Sequence, residues 1–104
     1  MKLKALMISM LIIVSCSQKR SEKGIEINEY FIKRIHEQMI IYMTAEGGEV
    51  PDMDILIDEG YFEFPGEDRY IVTIDKNEIE FKNPYQNVIS IYNLNTQEFE
   101  HIQE

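Results

Sequence analysis

Asn28-Glu29-Tyr30-Phe31-Ile32-Lys33-Arg34-Ile35-His36-Glu37-Gln38-Met39-Ile40-Ile41-Tyr42-Met43 is the stretch whose periodicity decides the fold. Phe31, Ile32, Ile35, Met39, Tyr42 and Met43 recur at helical spacing and cover roughly 120° of one face. So wide an apolar stripe predicts an amphipathic helix that must be buried against something. Asn28 is placed to cap its start, a role that suits a short polar side chain. Glu29 and Lys33 form an i,i+4 pair in the favourable order, and Gly47-Gly48 supplies the stop. His36 lies at the edge of the apolar face, where packing or surface exposure is the ordinary role of a histidine. Tyr30, Ile40 and Ile41 fall off that face, either as flanks of a wide core or as a second surface for a partner.

Downstream, Pro51 or Asp52 can begin a short helix in which Met53, Leu56 and Ile57 share a side and which Gly60 ends. A strand over residues 55–57 is the competing assignment. Asp52, Asp54, Asp58 and Glu63 fall at positions one, three, seven and twelve of a calcium-type loop. Leu56 and Ile57 occupy the fifth and sixth positions, where such a loop needs an oxygen ligand and a glycine. The acids are therefore read as a solvated face.

The last third is strand-like. Residues 70–74, 78–82, 88–93 and 98–102 are short β-branched or aromatic runs. They are separated by Asp75-Lys76-Asn77, Asn83-Pro84-Tyr85-Gln86-Asn87 and Leu94-Asn95-Thr96-Gln97. Alternation puts Tyr70, Val72 and Ile74 on one face, matched by Ile79 and Phe81 and then by Ile89 and Ile91. Connections this short make neighbouring strands antiparallel. The expectation is an α+β domain over residues 28–104, one N-terminal amphipathic helix packed on a small antiparallel meander.

Upstream, Lys2 and Lys4 precede an apolar run that ends in Leu11-Ile12-Ile13-Val14-Ser15-Cys16, the pattern of a secretory leader. The run is too short to span a bilayer, which takes about 20 apolar residues. Ser17-Gln18-Lys19-Arg20-Ser21-Glu22-Lys23 follows at once, a polar spacer or a basic contact for anionic headgroups. Residues 1–15 are thus expected to be a cleaved signal peptide and residues 16–27 a flexible tether.

Two resemblances add to this. Ile13, Val14, Ser15 and Cys16 resemble the lipobox of bacterial lipoproteins. That resemblance implies that Cys16 takes diacylglycerol on its thiol, that cleavage falls before it, and that the new amino terminus is acylated with a fatty acid such as palmitate. Two or more acyl chains anchor a protein stably where one does so only marginally. Ser17 after the cysteine leans towards an outer membrane where the host has one. Further on, Tyr42, Pro51, Leu56, Gly60-Tyr61, Pro65 and Asn83-Pro84-Tyr85 resemble the globular part of type II secretion pseudopilins over about residues 29–93. Lys82-Asn83-Pro84-Tyr85 stands where that family has Asp-Pro-Trp-Gly.

Charge and residue usage narrow the function. The chain has 10 basic and 19 acidic residues, a formal net charge of −9, and removal of residues 1–15 would take Lys2 and Lys4 but no acid. Nucleic-acid binding needs a basic face and is not expected. The lone cysteine cannot pair within the chain. Ser17 and Ser21 sit in the expected tether, leaving His36 and His101 without an evident nucleophile. No ligand spacing points to a metal, and Asp52 and Asp54 lack the concave site that paired-carboxylate chemistry requires. The sequence predicts a non-enzymatic, cofactor-free envelope lipoprotein. It would be anchored at the cell membrane or outer membrane and would be a binding or accessory module or, alternatively, a pilin-like structural subunit. Tyr30, Ile40 and Ile41 are its expected partner surface.

Overall fold

A computed structural model describes residues 2–66 and 69–103, with side chains from Ser21 onward. Helix α1 (Lys2–Glu46) is followed by the short α2 (Met53–Asp58). Four strands then follow: β1 (Ile71–Ile74), β2 (Glu78–Asn83), β3 (Val88–Asn93) and β4 (Phe99–Gln103). The strands form one antiparallel sheet in the order β1-β2-β3-β4. The C-terminal half of α1 lies across one face of this sheet, chiefly on β2 and β3. The fold is α+β, one helix on an antiparallel meander.

The helical stripe is the core. Phe31, Ile32, Ile35 and Met39 are buried against Ile79, Phe81 and Tyr92, with Leu56, Met53 and Phe62 closing one end. An aromatic cluster fills the space between α1, the chain after α2 and β2. Phe31 stacks on Phe81 at 5.9 Å, and Tyr70 lies 5.1 Å from Phe81. Such ring pairs add about 0.5–1.5 kcal/mol beyond the area they bury.

Local chemistry sets the boundaries. Gly47, with φ of 63°, ends α1 in the left-handed region that glycine enters without steric cost. Asp52 caps α2 by accepting from the Ile55 N–H at 2.9 Å. At the other end the Tyr61 N–H reaches the Leu56 carbonyl and the Gly60 N–H the Ile57 carbonyl, a Schellman closure with Gly60 left-handed. All three hairpins begin with an Asx side chain that accepts two backbone N–H groups. Asp75 takes those of Asn77 and Glu78, Asn83 those of Tyr85 and Gln86, and Asn93 those of Asn95 and Thr96.

Four expectations are corrected. First, Asn28 does not cap α1; the helix already runs through residues 21–27, assigned above to the tether, and Asn28 is fully buried. At about 100° per residue Asn28 falls in line with Ile35 and Met39, so the apolar stripe continues into it as a polar member. Gly24 is buried too, and a Cβ there would lie 2.7 Å from Gln86 Cβ and 3.0 Å from Val88 Cγ2, so the helix backbone rests directly on the β2–β3 turn. Second, Ile89 and Ile91 are not on the core face. The register pairs Ile79 with Tyr92 and Phe81 with Ser90, and the buried side of β3 is Val88, Ser90 and Tyr92. A strand with isoleucines on one side and valine, serine and tyrosine on the other has no apolar bias strong enough to fix its face, and Asn28 decides it by demanding a polar partner. Third, Ile57 is exposed on α2 while Met53 and Leu56 are buried. Fourth, Glu29 and Lys33 each turn to β4 instead of to each other. Glu29 Oε1 lies 3.5 Å from His101 Nε2, and Lys33 Nζ sits 5.9 Å from the centre of the Phe99 ring.

Candidate functional site

The residues that bear chemistry gather in three places. One is a chain of polar side chains under the N-terminal part of the packed helix. Asn83 Nδ2 donates to Asn28 Oδ1 at 3.0 Å, and Asn28 Nδ2 donates to Ser90 Oγ at 2.9 Å and to the Val88 carbonyl at 3.3 Å. Ser90 Oγ lies 2.7 Å from His101 Nδ1, and Nε2 of the same ring faces Glu29. A nitrogen facing a carboxylate carries the proton, so Nδ1 is the acceptor and the Ser90 hydroxyl the donor. The bonds therefore run in one direction from Asn83 to Glu29. Chains of this kind strengthen one another in a low-dielectric interior, and each unmet member would be costly.

Serine, histidine and glutamate in sequence are also the parts of a hydrolytic triad. A nucleophile must face a cleft lined by donors for the developing oxyanion. Ser90 is fully buried, and its oxygen already accepts from Asn28. The geometry does the work of a structural tie between α1, β2, β3 and β4. Ser90, Asn28 and Asn83 were missed as a group in the sequence. The available signal was a polar residue on each of three core stripes, at Asn28 within the helical period, at Asn83 ending β2, and at Ser90 between Val88 and Tyr92.

A second polar contact joins the same two elements further along. Tyr92 Oη lies 3.2 Å from His36 Nδ1, and burial pushes the Tyr92 hydroxyl above the ordinary range of a phenol. His36, expected at the edge of the apolar face, is thus a packing histidine.

The third place is an open groove of about 600 Å³ at the C-terminal end of α1. Met43, Val50, Ile55 and Ile74 supply its apolar lining, and Glu49, Asp52 and Asp75 its charge, with Lys76 beside them. Close by, the Tyr42 and Tyr61 rings meet edge to face at 5.3 Å. Their hydroxyls are raised above the ordinary phenol range, first by desolvation and then by carboxylates, chiefly Glu59 for Tyr42 and Glu46 for Tyr61. Glu46, Glu49, Asp52, Glu59 and Asp75 thus gather at this end of the molecule.

Tyr30, Ile40 and Ile41 are 58%, 53% and 49% exposed, which removes the wide-core alternative within this chain. They do not make one patch. Tyr30 and Ile41 share a line along α1 but stand three turns apart, about 16 Å, and Ile40 is rotated roughly a quarter-turn away. Ile13, Val14, Ser15 and Cys16, which carry the lipobox resemblance, belong to the part of α1 whose side chains lie outside the described residues. Among the described residues no helix is long and apolar enough to cross a membrane, and no group of histidine, cysteine or acidic side chains is gathered to hold a metal ion.

No protein-family model, no curated protein and no solved structure matches the chain.

Proposed function

We propose that the chain is a membrane-anchored extracytoplasmic lipoprotein whose folded part is a non-catalytic binding or accessory module of the cell envelope. The observation that carries this reading is the sole cysteine, Cys16, at the end of the apolar run and directly after Ile13, Val14 and Ser15. The buried Gly24 and Asn28 refine it, because packing on the sheet already begins at Gly24. Only the seven residues 17–23 then separate the lipid-bearing Cys16 from the folded body, so the β2–β3 turn is held near the membrane and the groove is presented away from it. Metabolic labelling with a radiolabelled fatty acid tests the anchor. The wild type takes up label and Cys16→Ala does not; equal labelling of both overturns the reading.

A pilin-like structural subunit is the second reading, favoured by one feature of the fold. A helix, a break at Gly47-Gly48, the short α2 closed at Gly60-Tyr61 and then antiparallel hairpins follow in the order that the pseudopilin resemblance implies. Crosslinking in intact cells separates the two. Ladders of the chain with itself or with secretion components support the subunit, and one recurrent envelope partner supports the module.

A further inference from the structure

We propose that the acid-rimmed apolar groove at the C-terminal end of α1 binds a cationic, apolar-sided peptide segment of a protein partner. This deepens the binding-module reading and rests on it.

The groove offers two kinds of complementarity at once. Met43, Val50 and Ile74 are half-buried and Ile55 is 36% exposed, so a partner's aliphatic side chains would remove apolar surface that the chain itself leaves in water. Around them, Glu49, Asp52 and Asp75 outnumber the single Lys76. The imbalance extends beyond the rim, because between Arg34 and Arg69 the sequence contains no lysine or arginine. Among the described residues none of these carboxylates is within ion-pair range of a cation, Lys76 included; the contact of that kind is Glu29 with His101.

Other occupants fit less well. A second copy would bring another chain of net charge −9 against this rim, and anionic lipid or nucleic acid would be repelled in the same way. A small organic cation would satisfy the carboxylates and leave the aliphatic lining wet. A peptide segment with lysine or arginine on one side and aliphatic residues on the other satisfies both. The site is also well placed, since α1 carries Met43 on the order of 30 Å from Ser21 at the helical rise.

The test uses the full chain in nanodiscs of zwitterionic lipid, with empty discs as blank, and fluorescence anisotropy of a labelled peptide of alternating lysine and leucine. Its lysine–serine and glutamate–leucine counterparts are run beside it. The lysine–leucine peptide binds at least about tenfold tighter than either counterpart, and added salt weakens it. Glu49→Lys and Ile55→Ser each weaken it by about fivefold or more, while Lys76→Gln tightens it. Glu100→Lys, on an exposed position of β4 and with the same change of charge as Glu49→Lys, leaves it nearly unchanged. Glu49 and Ile55 are exposed, so thermal melts of both variants stay close to wild type. Equal binding by all variants overturns the proposal. So does weakening by Glu100→Lys as large as that by Glu49→Lys, which would mean that only net charge is sensed. Sedimentation showing self-association abolished by Ile55→Ser assigns the groove to a second copy instead. These results leave fatty-acid labelling at Cys16 unaffected, so loss of the groove and loss of the anchor are read separately.

Discussion

Two neighbouring stretches of α1 bury the same stripe by opposite means. From Phe31 to Met39 the helix meets the sheet chiefly through aliphatic and aromatic side chains, with the His36–Tyr92 pair as a flanking polar contact. From Gly24 to Asn28 it meets the sheet chiefly through bare backbone and a carboxamide that binds Asn83, Ser90 and the Val88 carbonyl, with Ile27 partly buried beside them. The first contact is strong and tolerant of register, because burial of apolar area has no direction. The second is directional, and it fixes which residues of β3 face inward. Apolar burial supplies most of the stability here, and the polar end supplies the alignment.

The largest expected effect breaks the apolar half. Ile35→Ala and Met39→Ala each cost about 2–5 kcal/mol, because both side chains are buried and leave a cavity. A domain this small has a total stability of about that order, so thermal melts should show loss of the cooperative transition or a large fall in Tm. A fall no greater than for an exposed position would mean that α1 is not seated on the sheet.

Next comes the polar half. Asn28→Ala leaves Asn83 Nδ2 without its acceptor in a buried place, takes from Ser90 Oγ its donor while His101 remains bonded to it, and costs about 1–3 kcal/mol. Ser90→Ala made together with it costs less than the two changes separately, with a coupling of about 0.5–3 kcal/mol in denaturant melts. Simple additivity would show that the two side chains do not share one network.

Alkaline titration sharpens the same contrast through Tyr92, which sits where the apolar half meets His36. Its hydroxyl is raised above 10.0 in the folded protein by desolvation. The unfolded chain therefore loses its proton first as pH rises, so this contribution is complete below pH 10 and declines above it. In Tyr92→Phe the alkaline loss of stability is smaller than in wild type; an identical loss contradicts the assignment.

The smallest effects are expected on the outward side of α1. Ile40→Ala and Ile41→Ala change stability by no more than about 0.5 kcal/mol, as exposed positions do. If either destabilises the domain as much as Ile35→Ala, the helix is buried nearly all round.

The apolar half of this architecture was legible in the sequence and the polar half was not. Phe31, Ile32, Ile35 and Met39 announce themselves by spacing, and the turns led by Asp75 and Asn83 mark two hairpins closely, whereas the third was read from Leu94 with its leading Asn93 left in the strand. Asn28 misleads because asparagine has two common uses beside a helix, as a cap and as a buried bridge, and only the sheet's side chains distinguish them. The face of β3 fails for a related reason. Ile89 and Ile91 are the more apolar set, yet Ser90 is the residue that Asn28 and His101 can both reach. Of the candidate site, the acidic imbalance from residue 35 onward could be read directly, whereas the groove depends on the C-terminal end of α1, α2 and the β1–β2 hairpin converging.

Whether the packed body truly begins before Asn28 is tested most directly by native-state hydrogen exchange on the full chain. The backbone amides of residues 24–28 should exchange with protection approaching that of Ile35, because both halves of the stripe open together. Exchange at residues 24–28 as fast as that of the exposed turn at Asn95 and Thr96 would contradict the account and return this segment to a flexible tether.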